Sequence, residues 1–298
     1  MIKKIIILLI LMTASNFYGV GISDFQILKI PADTVGSGMG SAVIAEASGI
    51  SGFYWNPSLL NKMFHSELML NYNKWITDIS CFNAGYGIKL NGGKQGALGL
   101  IINYIDFADI DGIDLNGSTF SYGVYYWGME FGYSLDTKFF TAGCKIKYFQ
   151  QSIYDSKETS FGLDFGAYKN IRKFTLGFVL KNIGIVGAAD SILNNMPIVI
   201  QAGIGYSIHK KDTSVKMELD VEKPIDEIFN INTGIEYGYK NLYGRIGYKF
   251  EAREDSLDFS KGISFGAGIR MKKFDFNIAR IFLGELGSSF QASMTIKI

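Results

Sequence analysis

The sequence predicts an all-β fold: a 14-stranded antiparallel transmembrane β-barrel with an N-terminal hatch, or plug, inside it. Three observations predict this. The chain opens on an export signal. From about residue 66 onward, strand-length segments alternate oily and polar residues. The connections between those segments alternate long and short.

Composition sets the frame. The 298 residues are 48% hydrophobic and 14% aromatic but only 19% charged, against roughly 25% in soluble domains. Thirty-five glycines against 4 prolines suit many strands joined by tight turns. A formal net charge of +1 supplies no basic face, so no nucleic-acid partner is expected. Large barrels run as single domains, so the length calls for no second one.

The first residues read MIKKIIILLILMTASNFYGVG. Lys3 and Lys4 form a positive start, Ile5 to Met12 an apolar run, and Thr13, Ala14, Ser15, Gly19 and Gly21 a small-residue region. Residues 1–21 therefore read as a signal peptide, cleaved between Ala14 and Gly21. The apolar run falls short of the about 18 residues a membrane anchor needs. No cysteine lies there, so no lipid modification is expected. Cys81 and Cys144 fall in predicted strands, far apart in sequence. Export permits a disulfide, but two small wall residues that never meet is the plainer reading.

The alternation is clearest in SFQASMTIKI. Phe290, Ala292, Met294, Ile296 and Ile298 share one face, and Ser289, Gln291, Ser293, Thr295 and Lys297 the other. It recurs in SVKMELDVEK, GISFGAGIRM and IEYGYKNLYGRIGYKF. The segments run about ten residues or more, as a tilted spanning strand requires, and aromatic residues recur near their ends. Strands are expected near 66–75, 79–90, 96–107, 120–135, 138–151, 159–169, 173–184, 197–208, 213–223, 229–239, 241–251, 262–271, 274–282 and 289–298. The joins ADIDGIDLNGST, SIYDSKET, IGIVGAADSILNNM and AREDSLDFSKG read as long loops, whereas DT, NIR, HKKD, K and KK read as short turns. Long loops outside and short turns within place the protein in a bacterial outer membrane with both chain ends on the periplasmic side. Residues 65–298 thus form the barrel. An unpaired N–H or C=O in hydrocarbon costs several kcal/mol, so the sheet must close. A barrel of this size is too wide for wall side chains alone to fill, so it is a channel or is plugged.

Residues 22–64 do not alternate and supply the hatch. The stretch carries Gly36, Gly38, Met39 and Gly40, a short helical candidate at Ala42–Ala47, and then Phe53, Tyr54, Trp55, Asn56 and Pro57. The small residues allow tight backbone packing and the aromatic residues wedge against the wall. The glycines do not make a dinucleotide fingerprint. Ser41 stands where its third glycine belongs, and no strand–turn–helix context follows.

The segment LKIPADTVGSGMGSAVIAEASGISGFYWNPSLL, residues 28–60, resembles the N-terminal signature of PorV/PorQ-type outer-membrane proteins and their spirochaete-type relatives, within the FadL-like long-chain fatty-acid transporter superfamily. Gly38-Met39-Gly40 and Trp55-Asn56-Pro57 match that pattern, with Ser58 in place of alanine. LGFVLKNIG, INTGIEYGYKNLYGRIGYKF and the terminal strand extend the likeness over most of the chain. The resemblance implies a 14-stranded barrel, hatch roles for Asn56 and Pro57, and a hatch that shifts to release a hydrophobic ligand. This chain is shorter than typical fatty-acid transporters, and their ligand-binding positions are not identifiable in it.

Other candidate chemistry is sparse. His65 and His209 lack convergent partners, no nucleophile–base pair stands out, and no enzyme activity, metal or cofactor is expected. Asp109, Asp111 and Asp114 near Gly112 lack calcium-loop spacing. The inward-facing charges Lys145, Lys147, Lys216, Glu218, Asp220, Glu222, Glu236, Arg245, Lys249 and Arg270 line the lumen. They form either a solute-selecting pore lining or salt ladders and hatch partners, and their mixed signs favour the second.

Two functions are expected from different classes. One is passive uptake of hydrophobic small molecules, such as fatty acids, through a hatch-gated lumen. The alternative is a PorV-like interaction or shuttle protein of a secretion system, with exported-protein partners and no solute. Outer-membrane lipid and the barrel assembly machinery are further expected partners.

Overall fold

A strand whose alternate side chains are oily can bury one face in lipid and turn the other to water. The computed structural model follows that rule over the residues it describes, 24–113, 116–187, 194–252 and 260–298. The signal-peptide expectation lies outside them. The strands are β1 Glu67–Lys74, β2 Ser80–Lys89, β3 Ala97–Ile113, β4 Thr119–Asp136, β5 Thr141–Ile153, β6 Ser156–Ile171, β7 Phe174–Gly187, β8 Asn194–Asn195, β9 Val199–Lys210, β10 Thr213–Pro224, β11 Asn230–Tyr239, β12 Leu242–Glu251, β13 Ile263–Arg270, β14 Phe274–Phe282 and β15 Ser288–Lys297. Each long strand pairs antiparallel with its neighbours in the chain. β1 pairs with β15, which closes the sheet. β8 is a two-residue return onto β7, so the wall has the expected fourteen strands.

Outside and inside invert the pattern of a soluble protein. Ile146, Phe161, Phe265 and Ile278 are about half exposed, whereas Lys145, Asp164, Asn232 and Gln291 are buried. Exposed apolar groups around a polar interior are what a lipid-facing wall requires.

Two joins differ from expectation. ADIDGIDLNGST and SIYDSKET were expected as loops, but pairing runs on into both. β3 reaches Ile113 and β4 begins at Thr119. β5 and β6 pair up to a Tyr154-Asp155 turn. Beyond the lipid both faces of a strand meet water, so polar side chains do not end the ladder. A bulge between Asp106 and Asp109, with Ala108 at φ 56°, redirects β3 where it changes surroundings. The other two expected loops overlap 188–193 and 253–259, which lie outside the described residues. At the opposite end the two-residue joins Arg172-Lys173, Lys211-Asp212 and Lys240-Asn241 each open on a left-handed residue, as tight hairpins demand.

Residues 24–66 fill the lumen. Asp33 caps a helix at Thr34–Gly38, a second helix spans Gly49–Trp55, and Asn56 caps the 3-10 turn Pro57–Lys62. The expected helix at Ala42–Ala47 is instead a turn. Its N–H groups at 43–46 are taken by carboxylates of the wall, so no helical ladder forms. Ile298 lies at the end of the barrel where β1 begins, its N–H bonded to the Ser66 carbonyl. Asp24, the first described residue, bonds Asn194 and Asn195 beyond β7, at the other end. The described segment thus starts at that end and runs down the lumen before β1 begins.

The inversion of surfaces has a measurable consequence. Ile246→Arg, near the middle of the lipid face of β12, should cost about 2–4 kcal/mol. Urea unfolding from phospholipid vesicles measures it, and a cost near zero would place that face elsewhere.

Candidate functional site: the hatch and its socket

The hatch is organised around one buried carboxylate. Asp33 accepts from the Gly36 N–H at 2.7 Å, the Ser51 hydroxyl at 2.6 Å and the Trp55 indole N–H at 3.0 Å. The indole packs against Gly36, where any β-carbon would strike it. Burial pushes the Asp33 carboxyl above its usual range, and the three hydrogen bonds pull the other way. Tyr54 donates to the Ile30 carbonyl at 3.0 Å, tying the second helix to the incoming chain.

Asn56 does two jobs. Its Oδ1 accepts from the Ser58 N–H and hydroxyl, fixing the turn that Pro57 begins. Its Nδ2 donates to Ile44 O at 2.9 Å and lies 3.4 Å from Ala167 O and Phe178 O of the wall. The Trp-Asn-Pro element is therefore the joint between the helices, the glycine-rich turn and strands β6 and β7.

The wall answers with glycine. Phe53 rests on Gly99 and Gly132, the Pro57-Ser58 backbone on Gly143, and Asn56 on Gly166. Ile44 meets Gly177 and Gly203, Met39 meets Gly234 and Gly247, and Gly38 meets Gly266. A β-carbon at most of these positions would collide with hatch backbone or buried side chains, so glycine is what lets the hatch touch the strands. Sequence reasoning missed this socket. Its signal was present: glycines recurring at the polar-face positions of successive strands, where a water-facing wall would carry side chains.

β10 lacks such a glycine and carries a latch instead. Asp220 accepts from Val43 and Ile44 N–H at 2.9 and 3.3 Å, and Glu218 from Ala45 and Glu46 N–H at 2.5 and 2.9 Å. Four consecutive amides are thus held by two carboxylates spaced i, i+2 on one strand face. Lys62 donates to the Ala45 carbonyl at 2.5 Å, and burial lowers the pKa of its ammonium. On β1 and β15, Asn71, Asn73 and Gln291 donate to the Ala32 and Pro31 carbonyls.

The remaining predicted lumen charges form ladders. Lys145 contacts Glu130 at 2.6 Å and Asp164 at 3.4 Å, and lies near Phe53 O and Tyr54 O at the hatch helix's C-terminal end. Lys147 pairs with Asp164 at 2.8 Å and donates to Asn182. An asparagine chain, Asn71–Asn83–Asn103, runs from Thr34 of the hatch into Glu130, so one belt crosses β1 to β7. Opposite, Arg245 bonds Glu236 and Asn277, with Lys216 3.8 Å from Glu236. Lys249 meets Glu222 at 3.4 Å. Arg270 joins none of these: it sits at the rim over the Tyr243 ring, 3.6 Å from Asp275. Glu130, Asp164 and Lys181 were not singled out in the sequence, although their strand parity puts them on the same inner face. Lys181 lies over the Trp55 ring, beside a bulge in which Asn182 takes φ 60°.

The predicted histidines are exposed. Cys81 is buried and Cys144 exposed, and they form no disulfide. Asp109 and Asp111 lie in β3, and Asp114 falls outside the described residues.

Cavities lie between the hatch and the wall. One, of ≈ 90 Å³, mixes Ile30, Ile105 and Phe149 with Lys147, Lys181 and Glu222. The other, of ≈ 430 Å³, is bounded by Pro31, Ser41, Trp75, Lys249 and Glu251.

No family model and no curated protein sequence matches the chain. Solved structures do. The CymD monoaromatic hydrocarbon channel matches at TM-score 0.61 and 14% identity, over 90% of this chain and 98% of its own. A FadL homologue of Pseudomonas aeruginosa matches at TM-score 0.56 and 12% identity, over 90% and 99%. The fold is that of FadL-like outer-membrane barrels. The TodX monoaromatic hydrocarbon channel, as a deltaS2 mutant, matches at TM-score 0.56 and 12% identity, over 88% and 97%.

Two substitutions test the socket. Gly143→Val puts a side chain into the Pro57-Ser58 backbone, so amide exchange over residues 56–60 should rise while the strands stay protected. Glu218→Gln with Asp220→Asn puts side-chain amides where four N–H groups now meet carboxyl oxygens, and so weakens bonds worth about 0.5–1.5 kcal/mol each. Exchange at residues 43–46 should then rise about tenfold or more, as mass spectrometry of labelled protein would read.

Proposed function

We propose that the protein is an outer-membrane channel for passive uptake of hydrophobic small molecules, with residues 24–62 as its gate. The carrying observation is the hatch itself: a separate segment that blocks the lumen and is held by reversible hydrogen bonds and close packing. The FadL-like fold of hydrocarbon channels supports the same reading. A ligand enters the cavities between the hatch and the wall, where apolar groups stand beside lysines and carboxylates. It biases the hatch away from the wall and moves on without energy input. The resemblance to PorV/PorQ-type proteins, the signal peptide and an orientation with the short turns in the periplasm belong to this proposal.

A second reading, docking of exported proteins, draws on the paired hairpins that rise past the lipid band. Phe120, Tyr122 and Tyr154 cluster there, with ring centroids 5.5 to 5.9 Å apart.

Deleting residues 24–62 should raise single-channel conductance in planar bilayers, and lipid extraction of the purified full chain should yield a copurifying amphiphile. An unchanged conductance together with an empty lumen and a stable protein partner in pull-downs would overturn uptake in favour of docking. Protease added to intact cells should cut near Asp111 and spare Lys210; the reverse pattern would invert the orientation.

A further inference from the structure

The lipid face of the barrel is not uniform. Across β14, β15 and β1 the register sets residues in rows, and two rows combine into a groove of ≈ 630 Å³. Ala292 and Ala84 form its floor, where their neighbours Ile278, Tyr72, Leu70 and Ile102 stand out from the sheet. Tyr104 and Phe82 flank it.

The next row toward the β14–β15 connection is different in kind. Arg280 pairs with Phe290, and Phe290 with Lys74, all on the outward face directly above Ile278, Ala292 and Tyr72. Two cations therefore stand one strand apart from a shared neighbour, about 10 Å from each other by strand spacing. The Arg280 guanidinium donates only to the Ser288 hydroxyl, at 3.1 and 2.9 Å, and no carboxylate among the described residues pairs with it. Lys74 has a 3.8 Å contact to Asp78, with both side chains well exposed. Asp106 lies on the far side of Lys74, two strands from it.

A cation on a lipid-facing wall at the edge of the apolar band faces head groups, and there it attracts anionic lipid. An apolar depression immediately below takes acyl chain, because hydrocarbon is what the face meets. We propose that this row and groove form a binding site for one anionic, phosphate-bearing membrane lipid, with the head group between Arg280 and Lys74 and an acyl chain lying over Ala292 and Ala84. The site is independent of the lumen and of any transported solute.

Native mass spectrometry of the full chain, delipidated and then exposed to phosphatidylglycerol or phosphatidylcholine in mixed micelles, tests it. Wild type should retain one phosphatidylglycerol in preference to phosphatidylcholine. Lys74→Gln with Arg280→Gln should lower that retention about tenfold or more. Ala292→Leu, which fills the groove and keeps both charges, should lower it as well. Heat-dependent gel migration verifies that each variant is folded, and Lys138→Gln, in a turn away from the site, should behave as wild type. Equal retention of the two lipids by wild type, or undiminished retention by either site variant, overturns the proposal.

Discussion

Hydrocarbon leaves no backbone N–H or C=O without a partner, and the rest of this structure follows from that constraint. The sheet must close, and fourteen strands close into a ring too wide for their own side chains to fill. The interior then needs a separate occupant. Residues 24–66 are that occupant, and their fit dictates what the inner wall carries: glycine where backbone must touch backbone, carboxylate where four amides would otherwise be orphaned, asparagine where a carbonyl needs a donor.

The buried charges fall under the same logic. A lone ion in the interior would be prohibitively costly, whereas a paired and hydrogen-bonded one is tolerated. Lys145 is wholly buried, yet it meets two carboxylates and two helix-end carbonyls. Ion pairs join the mixed signs into ladders, and their rungs include hatch carbonyls.

Strand period and parity were legible because a spanning strand has two unlike solvents on its faces, and residues 289–298 show both. The hatch was legible as a break in that period. Three things were not. Strand ends past the lipid lose the contrast between faces, so β3 ran on unseen through Asp109 and Asp111. The Ala42–Ala47 turn has helical composition, but its amides are claimed by Glu218 and Asp220, more than 170 residues away in sequence. The glycine socket depends on which positions face the same object across the strands of the wall, and that requires the closed ring.

The course of the first described residues has its own consequence. Asp24 is held beside Asn194, at the end of the barrel away from Ile298. From Phe25, packed against Phe149 and Met196, the described segment runs down the lumen to the start of β1. The groups that seat it come from strands on both sides of the β1–β15 seam: Asn71 and Asn73 on β1, Gln291 on β15. Seating of the hatch and closure of the seam are therefore one coupled event, since a ring closed empty would leave those donors facing each other rather than the chain they hold.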